Sequence, residues 1–287
     1  MPASVAVSVR RVSVRESKES CRLPPASSAP AEIPMRLLPS TPVTFLIVSP
    51  AGSDASGTPA AAPEAALAAD AVVLDLRDVE GAPARMPDVA VLPGRQYWAL
   101  IAPPRSAEGE AELRRLSGAV DGLMVTCVGG TDDLDRVAAL GPGTPLIPVI
   151  DSAEALRRAP SLARHPAVVR LGFTSRHACP DFTDGMLSVQ STAAWVYRIV
   201  AAASAAAHLP GPVGGICPGP QDRVAVAGEA AQTADAGFTG YCVSQPEFLA
   251  DAAAAIAAAA TASARRVGTG RRHLRRVPAH AGTAAAT

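Results

Sequence analysis

The chain has 287 residues, 48% of them apolar and 18% charged, with no net formal charge. That is enough for one large core, and no run of about 18 apolar residues marks a membrane span. The charge is unevenly spread. Residues 1–34 carry five basic and three acidic side chains, and residues 265–287 carry six arginines and no acid. The stretch between holds fifteen basic and twenty-three acidic groups, a net of about −8. A body of that sign argues against nucleic acid as its partner.

Residues 1–34 are rich in Ser, Pro and Arg and lack the apolar segment of a secretory signal. They read as a disordered extension or a misassigned start ahead of Met35. Short apolar runs follow at 44–49, 71–76, 97–102, 122–126, 145–150, 168–174, 213–217 and 238–243. They are continuously apolar, as parallel strands covered on both faces are. Helix-like segments separate several of them. Residues 106–119 open on Ser106 and acids and end in arginines, which suits the helix dipole. Residues 131–140 and 151–163 also open on capping residues. Residues 190–209 form the longest segment and carry Trp195 and Tyr197, which read as packing or subunit-interface side chains. The stretch after Asp78 is broken by Gly81, Pro83 and Pro87. Beyond residue 262, the basic, Gly- and Pro-punctuated segment 263–287 reads as a disordered tail that is either solvated or binds an anion or nucleic acid. The five cysteines are scattered and form no CxxC pair, which reads as buried thiols in a reducing cytoplasm.

Eight strands alternating with helices predict an α/β fold, a closed (β/α)8 TIM barrel over residues 35–262. The rival is an open doubly wound sheet, and no GxGxxG turn follows an early strand to support it. In a barrel the chemistry gathers at the C-terminal strand ends. Those ends carry Ser49, Asp75 with Asp78, Ala102, Thr126, Asp151, the Ser175–His177 loop, Cys217 and Ser244. Two carboxylates and a histidine on one rim could surround an ion, although Asp151 could equally cap the helix that follows it.

Four segments, in order, resemble the aldolase/citrate lyase family of citrate lyase β subunits, malyl-CoA-type lyases and related aldolases. "ADAVVLDLRD" (69–78) is similar to that family's AD-x-VILDLED strand, and "VDGLMVTCVGGTDDLDRV" (120–137) to its DGIMLPKVESAEDL segment. Residues 147–182 follow its LIETARGLL…GLVFGSEDYAADL run, and 237–255 its GF-x-GK-x-CIHP segment. The resemblance implies a phosphoenolpyruvate/pyruvate-domain-like barrel. It also implies cleavage or formation of a C–C bond beside a carbonyl in a keto- or hydroxy-acid or its CoA thioester. The family uses Mg²⁺ as the Lewis acid for this step, and its members assemble as homo-trimers or hexamers.

Carried over by position, the charged groups depart from the family pattern. The LIET glutamate falls on Asp151 and the SED aspartate on His177, the two implied metal ligands. The glutamate before His177 becomes Arg176, while Asp181 matches the second aspartate of that motif. The strand-three arginine falls at about Leu100, where there is no cation, and the DLED glutamate becomes Arg77. A mixed oxygen/nitrogen pair suits Mn²⁺, Fe²⁺ or Zn²⁺ better than Mg²⁺, and Arg77 could supply the positive charge with no ion at all. The candidate catalytic residues are therefore Asp75, Arg77 and Asp78, and the candidate metal ligands Asp151 and His177. Three readings follow: a citrate lyase-like C–C lyase with an altered site, a non-catalytic barrel serving as a binding or partner subunit, and thiol chemistry through Cys127 or Cys179. The expected partner is a small keto- or hydroxy-acid or an acyl-CoA in the cytoplasm, with neither nucleic acid nor membrane.

Overall fold

The computed structural model describes residues 43–48, 68–77, 95–174, 190–216 and 222–274. Eight parallel strands close into a barrel in sequence order, each bonded to the next and the eighth to the first. They are β1 (Val43–Val48), β2 (Ala71–Asp75), β3 (Gln96–Ile101), β4 (Gly122–Val125), β5 (Leu146–Ile150), β6 (Gly172–Phe173), β7 (Val213–Gly214) and β8 (Gly240–Val243). The helices among the described residues are α1 (Ala107–Ser117), α2 (Thr131–Leu140), α3 (Ala153–Ala163), α4 (Gln190–Ala206), α5 (Arg223–Asp235) and α6 (Leu249–Leu274). The closed ring is the (β/α)8 barrel expected from the alternation, and it excludes the open sheet. The candidate extension 1–34 lies outside the described residues. Helix α6 continues through 263–274, a stretch that composition assigns to the basic tail.

Each apolar run is long enough to feed two cores. One set of alternate side chains points inward and fills the barrel, including Phe45, Val73, Trp98, Leu100, Met124, Ile147, Val149 and Cys242. The other set points outward and meets the helices in two clusters. One gathers around β3–β6 and α1–α4, and the other around β1, β2 and β8 with α5 and α6. Tyr197 belongs to the first cluster and meets Phe173 edge-on at 5.3 Å, so packing is its role, whereas Trp195 is 56% exposed.

Two aspartates hold the N-terminal edge. Asp70, just before β2, accepts the Thr44 N–H at 2.8 Å, and Asp121, just before β4, accepts the Tyr97 N–H at 2.8 Å. Strands β6 and β7 are shorter than their apolar runs. Strand β7 starts where its run does, with the Val213 N–H reaching Leu171, and ends at Gly214, just before Gly215 takes a left-handed φ of 69°. Residues 168–171 contribute a bridge from Val168 to Leu146 and the N–H of Val169.

The helix starts refine the expected caps. Ser106 caps α1 by accepting the Gly109 N–H, with Glu108 and Glu110 in the first turn and Arg114 and Arg115 in the last. Helix α2 begins after Gly130 without a side-chain cap, so Thr131 is its first residue and not its cap. Asp133 turns back to accept the Gly129 N–H.

Candidate functional site

The β2 and β5 ends place two carboxylates on the same, C-terminal rim. Asp75 is the last residue of β2, and its side chain is 8% exposed. The chain turns just past β2, and the Arg77 N–H folds back to donate to Asp75 Oδ1 at 3.3 Å. The Arg77 side chain follows: its Nε donates to Asp75 Oδ1 and its Nη2 to Oδ2, each at 2.8 Å. This fork-to-fork pair is the strong form of an arginine–carboxylate contact.

Asp151 follows β5 directly. It does not cap α3, because Ser152 does so by accepting the Ala155 N–H at 3.0 Å. The carboxylate of Asp151 is thereby left to face the rim. Its Oδ2 accepts the backbone N–H of Cys127 at 2.5 Å, and the Cys127 thiol also bonds to it. Cys127 reaches that position through a left-handed backbone with φ of 54°, unusual for a residue other than glycine. Among the described residues, Oδ1 of Asp151 is buried without a hydrogen-bond partner. Burial pushes the Asp151 pKa above the ordinary carboxylate value. The Cys127 N–H, the Asp151 backbone, the Cys127 thiol and the positive charge of Arg77 oppose this. Arg77 is therefore bonded to Asp75 and close enough to act electrostatically on Asp151.

The rim is stitched by two buried threonines. Thr126 donates to the Ile101 carbonyl at 3.1 Å, tying the end of β4 to β3, and Thr174 donates to the Ile216 carbonyl at 2.8 Å, tying β6 to the end of β7. Leu100 is the register partner of Asp75. It is fully buried in the barrel interior.

Of the candidate residues, Asp75, Arg77 and Asp151 are brought together on one rim. Asp78 and His177 lie outside the described residues, as do Ser49, Arg176, Cys179, Asp181 and Cys217. Among the described residues no group of three His, Cys, Asp or Glu side chains is placed to hold a metal. Asp75 is engaged by Arg77, and one Asp151 oxygen is engaged by Cys127. Among the described residues, Arg77 supplies positive charge beside Asp75 and acts electrostatically on Asp151. Cys127, one of the two thiols singled out in the sequence, is exposed and contacts Asp151. One polar residue of the barrel lay outside the sequence expectations. Arg170 is 1% exposed in the barrel interior beside Gly240 at the start of β8, the end opposite the rim, where burial lowers its pKa to about 10.

No protein-family model matches the sequence, and no curated protein matches it. The fold does have solved counterparts. RipC from Yersinia pestis superposes with a TM-score of 0.59 at 17% identity, covering 76% of this chain and 95% of that one. CitE from Mycobacterium tuberculosis in complex with magnesium, acetoacetate and coenzyme A gives 0.58 at 21% identity, covering 81% and 88%. The citrate lyase β subunit from M. tuberculosis complexed with oxaloacetate and magnesium gives 0.55 at 19%, covering 75% and 97%. The barrel is thus the one on which citrate lyase β subunits are built.

Proposed function

We propose that this chain is a divergent barrel of the aldolase/citrate lyase family that binds a small keto- or hydroxy-acid, or its CoA thioester, at the C-terminal rim. Its chemistry is that of a C–C lyase acting beside a carbonyl, with the Arg77 guanidinium supplying the charge that a divalent ion supplies elsewhere. The observation that carries this reading is the Asp75–Arg77–Asp151 arrangement, in which one cation is held against one carboxylate and acts on a second. The CitE and citrate lyase β complexes bind magnesium with acetoacetate and coenzyme A, or with oxaloacetate, on the same kind of barrel. These ligands set the substrate class to try first.

A second reading has its own support. The bidentate hold of Asp75 on Arg77 neutralises much of the charge a substrate carboxylate would seek, which favours a non-catalytic barrel acting as a binding or partner subunit. Calorimetry with oxaloacetate, pyruvate, acetoacetate and CoA, in EDTA and then in Mg²⁺, tests the binding. Metal-independent binding that Arg77→Gln abolishes is expected, and binding that requires Mg²⁺ would refute the arginine substitution. Turnover of malyl-, citramalyl- or citryl-type thioesters decides between lyase and silent barrel. Cleavage at an ordinary enzymatic rate rules out the silent barrel, and its absence with Mg²⁺, Mn²⁺, Zn²⁺ and EDTA rules out the lyase.

A further inference from the structure

We propose that Asp75 is an inhibitory contact built into the rim: it occupies Arg77 in place of a ligand carboxylate and holds down the barrel's affinity for acids. The inference rests on the rim being where the small acid binds, and it concerns what regulates that site. Both oxygens of Asp75 go to one residue. Oδ1 accepts from the Arg77 N–H at 3.3 Å and from its Nε at 2.8 Å, and Oδ2 accepts from Nη2 at 2.8 Å. The Nε–Nη2 edge of a guanidinium takes one carboxylate at a time in this two-bond form. An incoming acid therefore either displaces Asp75 from that edge or binds elsewhere on the guanidinium with a second negative charge beside it. Asp75 opposes the acid in both cases, by competition in the first and by like-charge repulsion in the second.

Two features make Asp75 a strong competitor. It lies two residues from Arg77 on the same chain, so its carboxylate acts at an effective concentration of roughly millimolar or above before any free acid is added. The two groups also differ in their freedom to move. Asp75 ends β2 in register with Leu100, and its side chain is 8% exposed, whereas Arg77 lies past the strand and is 20% exposed. Displacement thus moves the arginine and strands a carboxylate that solvent scarcely reaches, which is the unfavourable way to break such a pair. Asp151 supplies the comparison. Cys127 bonds its Oδ2, and Arg77 acts on it through space. Removing the Asp151 charge therefore leaves the two-bond edge of Arg77 occupied, and removing the Asp75 charge releases it.

The test is calorimetry, in EDTA, of the intact chain and of Asp75→Asn with pyruvate, oxaloacetate and acetoacetate, and with methyl pyruvate as the uncharged control. Asparagine keeps the shape of Asp75 and a carbonyl oxygen for one Arg77 bond, while the competing charge goes. A unit charge about 6 Å from a ligand carboxylate, at an effective dielectric of about 20–40, changes affinity about 10- to 100-fold. Asp75→Asn should therefore bind the acids about 10- to 100-fold more tightly than the parent and leave methyl pyruvate unchanged. The gain should vanish in Asp75→Asn/Arg77→Gln and should be smaller in Asp151→Asn. Asp75→Ser gives a second reading of the gain where circular dichroism shows the asparagine variant misfolded. Acid affinity no higher in either uncharged variant, in a parent that binds through Arg77, overturns this proposal alone. So does an equal gain in Asp151→Asn, since loss of any nearby charge would then suffice. Binding by neither parent nor variants, or parent binding that Arg77→Gln leaves intact, overturns the rim reading and this proposal with it. Binding that appears only once Asp75 is uncharged supports both.

Discussion

Replacing Arg77 by glutamine tests the central contact of the rim. The substitution removes both 2.8 Å bonds to Asp75 and leaves that carboxylate, 8% exposed, without its counter-charge. Removing one partner of a buried ion pair costs about 3–5 kcal/mol, mostly because the other charge stays behind. Arg77 is 20% exposed, so solvent screens part of the pair and lowers the expectation to about 2–4 kcal/mol. In a domain of this size that is a fall in Tm of roughly 5–15 °C. Urea denaturation followed by circular dichroism at pH 7 measures it. The double variant Asp75→Asn/Arg77→Gln should be less unstable than the sum of the two single variants, with a coupling of about 1–3 kcal/mol. A cost for Arg77→Gln below about 0.5 kcal/mol, or strict additivity in the cycle, would refute the view that this pair is a buried, mutually dependent unit.

Asp151→Asn should raise the Tm at neutral pH. Burial raises the folded-state pKa of Asp151, so the folded chain holds more protons than the unfolded one as pH climbs from the ordinary carboxylate value through the raised one. Stability is lost across that window and stays lost above it, and asparagine removes the penalty; its advantage should vanish below about pH 4, where both states are protonated. A lower Tm for Asp151→Asn at pH 7 would contradict burial as the dominant influence. Gly215→Ala should cost about 3 kcal/mol or more. The residue has φ of 69°, and an added Cβ would lie 2.5 Å from the Cys242 carbonyl oxygen, so a denaturation midpoint unchanged from the parent would refute the close approach of β7 and β8 there. Ser106→Ala and Ser152→Ala should each cost about 1 kcal/mol by leaving an N-terminal helix N–H unpaired, and the two should add because they cap different helices.

The barrel was legible because its strands are short, continuously apolar and separated by helices, a pattern that survives when every polar rim residue changes. The positions of Asp75 and Asp151 were legible too, since both sit where an apolar run stops. The pairing of Asp75 and Arg77 depends on a turn just past β2, where the Arg77 N–H bonds back to the Asp75 carboxylate, and apolar periodicity does not report such a turn. Arg77 was read as a substrate contact instead. The role of Asp151 was hidden for two reasons. Ser152 relieves it of the capping duty that the sequence left open, and its partner Cys127 depends on a left-handed backbone that no neighbouring glycine advertises. Arg170 was invisible inside the apolar run 168–174, where one charged residue does not disturb the periodicity. Strand β7 fell short of its run because Gly215 turns left-handed straight after Gly214, a backbone event that hydrophobicity does not report.

The proposed rim also bears on how a barrel keeps its shape whatever chemistry its rim carries. Strand β3 offers no cation there: Leu100 is packed into the interior as the register partner of Asp75. The cation beside Asp75 comes from β2's own continuation, at Arg77. The Arg77 guanidinium bonds one carboxylate and acts electrostatically on a second, and as a stand-in for an ion it would differ in two ways. It brings one unit of charge spread over a plane, where an ion concentrates two at a point. It also has no vacant coordination position through which a carbonyl could be drawn in and polarised. The first difference weakens stabilisation of an enolate more than it weakens attraction for a carboxylate, because the enolate charge develops only during reaction. Binding should therefore outlast turnover at such a rim. The core pays nothing for the exchange, since the side chains that close the barrel alternate with those that face the site and are chosen independently of them.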